Sequence, residues 1–253
     1  MHSSALTVCR LCAKEAELVD SHIYPAWFIK DHLQPGNGVP FLISSTQGVF
    51  PKKFPKGISE ELLCRVCDNS LIGGIEGKAC TTYRRMKEWF VETALLPNSE
   101  FRVPLRYAED IHQFALSLVF RALSSTNDFF RLLKDCPNSG EVAASIGAEI
   151  ISRNVSRQML IVFRRDMTDL QLIISPECVM DGESIGCLIR FGHWNFFVHL
   201  VGPVFASWSS VEYTDANEWR MYPHETSQDL EIAREIAIKA NSHRTQKYRR
   251  RKL

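Results

Sequence analysis

Two Cys-x-x-Cys pairs are the residues of this chain whose types and spacing most directly imply chemistry. The first pair is Cys9 and Cys12, and the second is Cys64 and Cys67. Four thiolates arranged as two knuckles match the tetrahedral coordination of zinc, and an all-cysteine set forms a closed structural site with no open position for a substrate. The spacing therefore predicts one zinc-stapled module near the N-terminus and favours metal binding over disulfides.

A histidine between the two pairs is the best candidate for catalysis. His22 lies in the segment Ser-His-Ile-Tyr-Pro at residues 21–25. Hydrolysis of a phosphodiester needs a base that takes a proton from water and a divalent cation that neutralises the transition state. We expect His22 at the end of a short strand, facing a helix that begins after Cys67. Asp68 and Asn69 could offer oxygen ligands to Mg²⁺ or Mn²⁺, but helix capping would also explain both residues, and His22 could instead be a packed structural histidine.

These motifs together resemble the zinc-stapled HNH endonucleases, which share a ββα-metal core. The resemblance covers residues 9–80 and includes the sequence Leu-Leu-Cys-x-x-Cys-Asp-Asn and the following Gly-Gly-Ile-Glu. It implies an α+β protein whose N-terminal module is HNH-like and treble-clef-like, with four cysteines on a structural Zn²⁺. It also implies that His22 is the general base and that the substrate is nucleic acid, with DNA as the default. A catalytic Mg²⁺ or Mn²⁺ would be held by Asp68, Asn69, Glu76 or a nearby acid, and a solvated carboxylate is the alternative for Glu76.

Two positions depart from the family pattern and keep a second function open. Ser21 stands where an acidic cation ligand usually precedes the histidine, and Ser59 stands where an asparagine is usual. Without these ligands the chain could be a catalytically silent zinc module that binds nucleic acid or protein. A third hypothesis is a zinc-stabilised scaffold with a protein partner in a bacterial assembly, such as one for phage defence, where relatives of this kind are often found.

Composition sets the remaining limits. The 253 residues carry a formal net charge of +1, which gives no global attraction to nucleic acid, although residues 247–252 form a local basic cluster. No apolar run is long enough to span a membrane and no signal peptide is recognisable, so we expect a cytoplasmic protein without membrane contact. The cysteines outside the pairs, namely Cys80, Cys136, Cys178 and Cys187, are expected to be reduced core thiols.

The elements that must position these residues can be outlined from apolar periodicity. We predict two domains, residues 1–95 with the zinc module and residues 96–253 with an α+β fold. A helix should run from Cys67 to about Val91, with a kink at Gly73 and Gly74. Further helices are predicted at 108–134, after Ser139 and from Asp229.

Three apolar runs, at 159–163, 186–191 and 196–201, are predicted to form one small antiparallel sheet. Trp27 and Phe28 follow the histidine segment and could stack on bases, but we expect them to fill the core around the zinc module.

Overall fold

The computed structural model describes residues 6–32, 41–43, 52–53, 57–93, 101–154, 157, 159–163, 172–191, 194–203 and 218–223. The elements of the first half are β1 (Thr7–Val8), β2 (Glu15–Ala16), β3 (Leu18–His22), α1 (Ala26–His32), β4 (Phe41–Ile43), β5 (Lys52–Lys53), β6 (Ser59–Cys64), a π-helical segment (Val66–Ile72) and α2 (Gly73–Thr93). The elements of the second half are β7 (Phe101–Pro104), α3 (Leu105–Ser124), a 3₁₀ turn (Asp128–Phe130), α4 (Arg131–Lys134), α5 (Ser139–Ser152), β8 (Met159–Phe163), β9 (Leu172–Asp181), β10 (Ser184–Phe191), β11 (Trp194–Val201) and β12 (Glu218–Pro223).

The N-terminal unit has two antiparallel strand pairs followed by a helix. β1 pairs with β2 and carries the first knuckle between its strands. β3 pairs with β6, with Leu18 opposite Cys64 at one end and His22 opposite Ser59 at the other. The second knuckle begins at the last residue of β6 and ends inside the helix that follows. This order puts the two knuckles at one end of the β3–β6 pair and His22 at the other.

The helix after the second knuckle begins as a π-helix. Val66–Ile72 has π geometry, and the N–H of Gly73 donates to the Asp68 oxygen five residues earlier. Gly73 and Gly74 therefore mark a change of helix type, where the sequence predicted a kink. Asp68 and Asn69 lie inside the first turns, and the helix start at Arg65 has no side-chain cap, so the capping role considered for these two residues is wrong.

The predicted helix at 108–134 is interrupted. Its core face is confirmed, because Ile111, Phe114 and Leu118 are buried. However, α3 ends at Ser124, and a 3₁₀ turn and the short α4 follow. Asn127 causes part of this break, since its side chain accepts a hydrogen bond from the Phe129 N–H and so caps the new turn. The helix predicted after Ser139 is confirmed as α5.

The three predicted strands lie side by side and antiparallel, as β8, β11 and β10. The sheet that contains them is larger than predicted: in the part of the chain that the structure describes, it has eight strands in the order β5-β4-β9-β10-β11-β8-β12-β7. It is also mixed, because β4 runs parallel to β9 and β12 runs parallel to β8. The α+β class is therefore confirmed, and the small, purely antiparallel sheet is not.

Strand β9 was missed in the sequence because it contains Pro176. Proline removes a ladder hydrogen bond and is confined to strand edges and bulges. Here the register shifts between Leu188 and Arg190 of β10, opposite the part of β9 that contains Ser175 and Pro176. The bulge accommodates the proline within an interior strand.

One cluster of buried apolar side chains contains residues of both predicted domains. It includes Leu11 and Ile75 from the first range and Phe114, Ile146 and Val198 from the second. Whether each range folds alone stays a prediction. The predicted helix from Asp229 and the basic cluster at 247–252 lie outside the described residues.

Two of the four remaining cysteines are not reduced thiols. Cys136 and Cys178 form a disulfide between the α4–α5 connection and β9, with their Cα atoms 5.8 Å apart. Cys187 is a buried thiol outside any disulfide, as expected, and Cys80 is a half-buried thiol that is likewise not disulfide-bonded. Disulfides are rare in reducing compartments, so the cytoplasmic location stays a prediction. Within the described part of the chain, no helix has the length and apolar character that crossing a membrane requires.

Candidate metal centre

The four knuckle cysteines converge on one point. The sulfur atoms of Cys9, Cys12, Cys64 and Cys67 all lie within 4.8 Å of one another, and the Cys12 and Cys64 sulfurs are 3.9 Å apart. Tetrahedral zinc with Zn–S bonds of about 2.3 Å requires sulfur atoms about 3.8 Å apart. The donor set and its spacing therefore fit a four-thiolate zinc ion, as the sequence predicted.

Main-chain N–H groups donate hydrogen bonds to the Cys9 sulfur and favour its thiolate form. The Cys64 N–H donates to the Cys9 sulfur over 3.3 Å. Burial raises the pKa of Cys9, but hydrogen bonds from the main chain of Cys12, Cys64 and Leu11 outweigh it and lower this pKa to about 7. Burial and the neighbouring sulfurs instead raise the pKa of Cys67. Four thiolates cannot ionise together at this distance without a cation between them.

The first knuckle is held by main-chain hydrogen bonds to itself and to β6. Next to the knuckle's own turn, the Cys9 N–H donates to the Lys14 oxygen over 2.9 Å. The bond to β6 is donated by the Arg10 N–H to the Leu62 oxygen over 3.1 Å. Ala13 has a φ of 57°, the left-handed conformation that lets the chain turn back into β2. Leu11 is buried, so the knuckle is also seated on the apolar core.

His22 is the last residue of β3 and is half-buried. Asp20 lies two residues earlier on the strand, so its side chain projects to the same face as that of His22. Ser59, which pairs with His22 across the strands, donates its hydroxyl to Asp20 Oδ2 over 2.9 Å. A carboxylate thus lies on the same face of β3 as His22. It precedes the histidine by two residues, whereas the acid of the HNH motif directly precedes the histidine.

Ser21 is turned to the other side of this strand. It is completely buried, and its hydroxyl donates to the Val19 oxygen over 3.3 Å. The chain that follows is fixed as well, since Ile23 N–H donates to the Ile58 oxygen over 2.8 Å. Ser21 therefore packs the unit internally, which agrees with the expectation that it is a poor cation ligand.

A buried arginine, which sequence analysis missed, joins His22 to α2. Arg121 of α3 is 1% exposed, and its Nη1 lies 2.7 Å from Oε1 of Glu76. The same nitrogen donates to the main-chain oxygen of His22, and Nε donates to the Ser117 oxygen over 3.1 Å. The signal was available in the sequence, because Arg121 falls on the apolar face of α3, where a charge needs a partner.

Unlike the four cysteines, the predicted ligands of the catalytic cation do not form a cluster in the structure. Asp68 is half-buried and Asn69 is exposed, whereas Glu76 forms the ion pair with Arg121. Across the described ranges, the four cysteines are the sole group of three or more His, Cys, Asp or Glu side chains close enough to share an ion. The Mg²⁺ or Mn²⁺ site stays a prediction.

The aromatic residues after the histidine segment fill the core. Phe28 is fully buried, and the Trp27 ring packs against Phe28, Tyr83 and Phe114 with ring centroids 5.6–5.7 Å apart. Such edge and tilted contacts are the preferred arrangement of packed aromatic rings. The packing interpretation of these two residues is confirmed.

Comparison of the chain with protein-family models, with curated proteins and with solved structures gave no match. The resemblance to HNH endonucleases therefore rests on the quoted sequence motifs alone.

Proposed function

We propose that this protein is a metal-dependent, HNH-type endonuclease that hydrolyses phosphodiester bonds of nucleic acid, with DNA as the expected substrate. One observation carries the proposal: the knuckles, the β3–β6 pair and the following helix come in the order of a zinc-stapled ββα unit, with His22 at the end of the first long strand. The four-cysteine cluster supports a structural Zn²⁺ in that unit.

In this proposal His22 takes the proton from the attacking water. Its imidazole is half-buried at a strand end, so it can be held in place by the fold and still reach solvent. A positioned base of this kind contributes a rate factor of about 10² to 10⁴. The zinc has no part in the chemistry, because four thiolates leave it no open coordination position.

The cation that neutralises the transition state is proposed to bind near Asp68 and Asn69. Both lie at the start of the helix, next to the second knuckle, and oxygen donors are the ligands that Mg²⁺ and Mn²⁺ prefer. Glu76, the third predicted ligand, would have to exchange its ion pair with Arg121 for the cation. Asp20, on the His22 face of β3, is a further oxygen donor on the side of the proposed base.

A second candidate function is a catalytically silent zinc module that binds nucleic acid or a protein partner, for example in a bacterial or phage-defence assembly. The buried Ser21 and the Arg121-bound Glu76 favour it, because neither side chain is free to act as a cation ligand.

The test is cleavage of plasmid, single-stranded DNA and RNA by purified protein with Mg²⁺ or Mn²⁺. We expect nicking that EDTA stops and added Mg²⁺ restores, and a loss of about 10²- to 10⁴-fold in His22→Ala with zinc content unchanged. His199→Ala, a half-buried histidine of β11, is the matched control. Survival of all three substrates with both metals would replace the nuclease proposal by the silent module.

A further inference from the structure

The buried guanidinium of Arg121 makes more contacts than its ion pair requires. Nη1 lies 2.7 Å from Glu76 Oε1, which already compensates the charge. Nε donates to the Ser117 oxygen over 3.1 Å, and Nη2 lies 3.4 Å from the Ser117 hydroxyl. These contacts on its own helix fix the plane of the guanidinium, and the remaining interaction of Nη1 is with the main-chain oxygen of His22.

The location of this contact matters because His22 ends its strand. The direction of a side chain follows the backbone that carries it. A donor that is itself rigid can fix the main-chain oxygen of His22, next to the bond that the Ile23 N–H makes to the Ile58 oxygen. Arg121 is such a donor, because it is 1% exposed and held on two sides.

We infer that Arg121 is a positioning residue for His22. It fixes the His22 main chain, and through it the direction of the imidazole, while Glu76 fixes Arg121. Helix α3, which belongs to the range without recognisable motifs, thereby completes the site in the N-terminal unit. This inference rests on the proposed function only for its catalytic readout, since the orientation of His22 can be measured without a reaction.

Three variants separate positioning from simple charge compensation. Arg121→Met alone leaves the Glu76 carboxylate half-buried without its cation, which destabilises the fold in its own right. Arg121→Met combined with Glu76→Leu replaces the ion pair by apolar side chains of similar volume, a change that is often neutral or stabilising. Arg121→Lys keeps a cation for Glu76 but loses the planar fork. Arg131→Met, on the exposed surface of α4 with its side chain 63% accessible, is the control.

Each variant is measured for zinc content, thermal unfolding, kcat and KM of cleavage, and the His22 imidazole signal in a ¹H–¹³C spectrum. The His22 signal is the one missing in His22→Ala. We expect the double variant to be folded with one zinc, yet to show kcat lowered by about 100-fold at unchanged KM, the scale of a misplaced catalytic group. Its His22 signal should be shifted or split, whereas Arg131→Met should match the wild type in every measurement.

The outcomes are separable. A double variant with wild-type kcat and an unmoved His22 signal would mean that Arg121 only neutralises Glu76, and the inference would be overturned. If the wild type cleaves nothing, the proposed function fails, and the His22 signal alone decides the inference: a shift in the double variant supports it and an unmoved signal overturns it. If the double variant does not fold, the same two readouts in Arg121→Lys decide.

Discussion

Leu11 of the first knuckle packs against Gly147 in the middle of α5. A Cβ atom placed on Gly147 would lie 3.5 Å from Leu11 Cδ1 and 3.2 Å from Phe120 Cε2. The side chain between the first two cysteines thus reaches helix α5, and a Cβ at this position would touch Leu11 and be tight against Phe120. The zinc knuckle is therefore part of the main core.

Enlarging Gly147 should destabilise this contact. Gly147→Val places methyl groups against Phe120 and Leu11, and overpacking of this kind costs about 1–3 kcal/mol of unfolding free energy. Urea denaturation of the full-length protein measures it. Gly140→Val in the same helix is the control, because nothing lies within 4 Å of a Cβ at Gly140. Equal effects of the two substitutions would contradict the packing.

Removing one zinc ligand should release the metal and loosen more than the knuckle. Cys9→Ser is expected to lose the one zinc per chain measured by elemental analysis, because zinc binding and folding of such sites are coupled by an energy on the order of 10 kcal/mol. Since Leu11 lies against Gly147 of α5 and belongs to the common core cluster, the melting temperature of the whole protein should fall as well. Cys80→Ser, outside the cluster, should keep its zinc. Well-folded wild-type protein without zinc would contradict this prediction.

Asp68→Ala should raise the Mg²⁺ requirement for cleavage before it lowers the maximal rate. Loss of one oxygen ligand weakens the cation site and leaves the base in place. We expect the half-saturating Mg²⁺ concentration to rise by at least about tenfold, because removing a residue that only supports a metal ligand already lowers metal affinity by about that factor. Asp128→Ala, an exposed acid of the 3₁₀ turn, is the control. Identical Mg²⁺ curves for wild type and Asp68→Ala would remove Asp68 from the site.

His112 should make the fold sensitive to acid. Burial, and then the charge of Arg157, lower the pKa of His112 from 6.5 to about 3. Between these values the unfolded chain binds one proton more than the folded chain, so the stabilisation present above pH 6.5 is lost as the pH falls toward 3. The slope is at most about 1.4 kcal/mol per pH unit.

Urea denaturation at pH 7.5, 6.0 and 5.0 tests this effect in His112→Gln. The stability advantage of the wild type over the variant should shrink as the pH falls, because the variant lacks the group that titrates. Protonation of the zinc thiolates is common to both proteins and cancels in the difference. His199→Gln serves as the control, and a constant difference between wild type and His112→Gln would contradict the prediction.

The cysteine cluster could be predicted because each Cys-x-x-Cys pair is a local sequence pattern, and a zinc site requires a single contact between the two pairs. The ion pair between Glu76 and Arg121 could not, since its partners lie 45 residues apart and their meeting depends on how α2 packs on α3. The sequence showed only half of this relationship, as a charge on the apolar face of a helix. The disulfide between Cys136 and Cys178 was missed for the same reason, because a separation of 42 residues leaves no local signature.

The π-helical segment Val66–Ile72 sets the rotational phase of α2. An α-helix advances by about 100° per residue, and a π-turn takes up one residue more than an α-turn. Deleting one residue between Cys67 and Gly73 would therefore turn this segment into an α-helix and leave Glu76 facing Arg121, whereas inserting one residue there would rotate Glu76 away from Arg121. The segment thus carries one residue more than an α-helix would need at this place, and its exposed residues are Asn69 and Ser70.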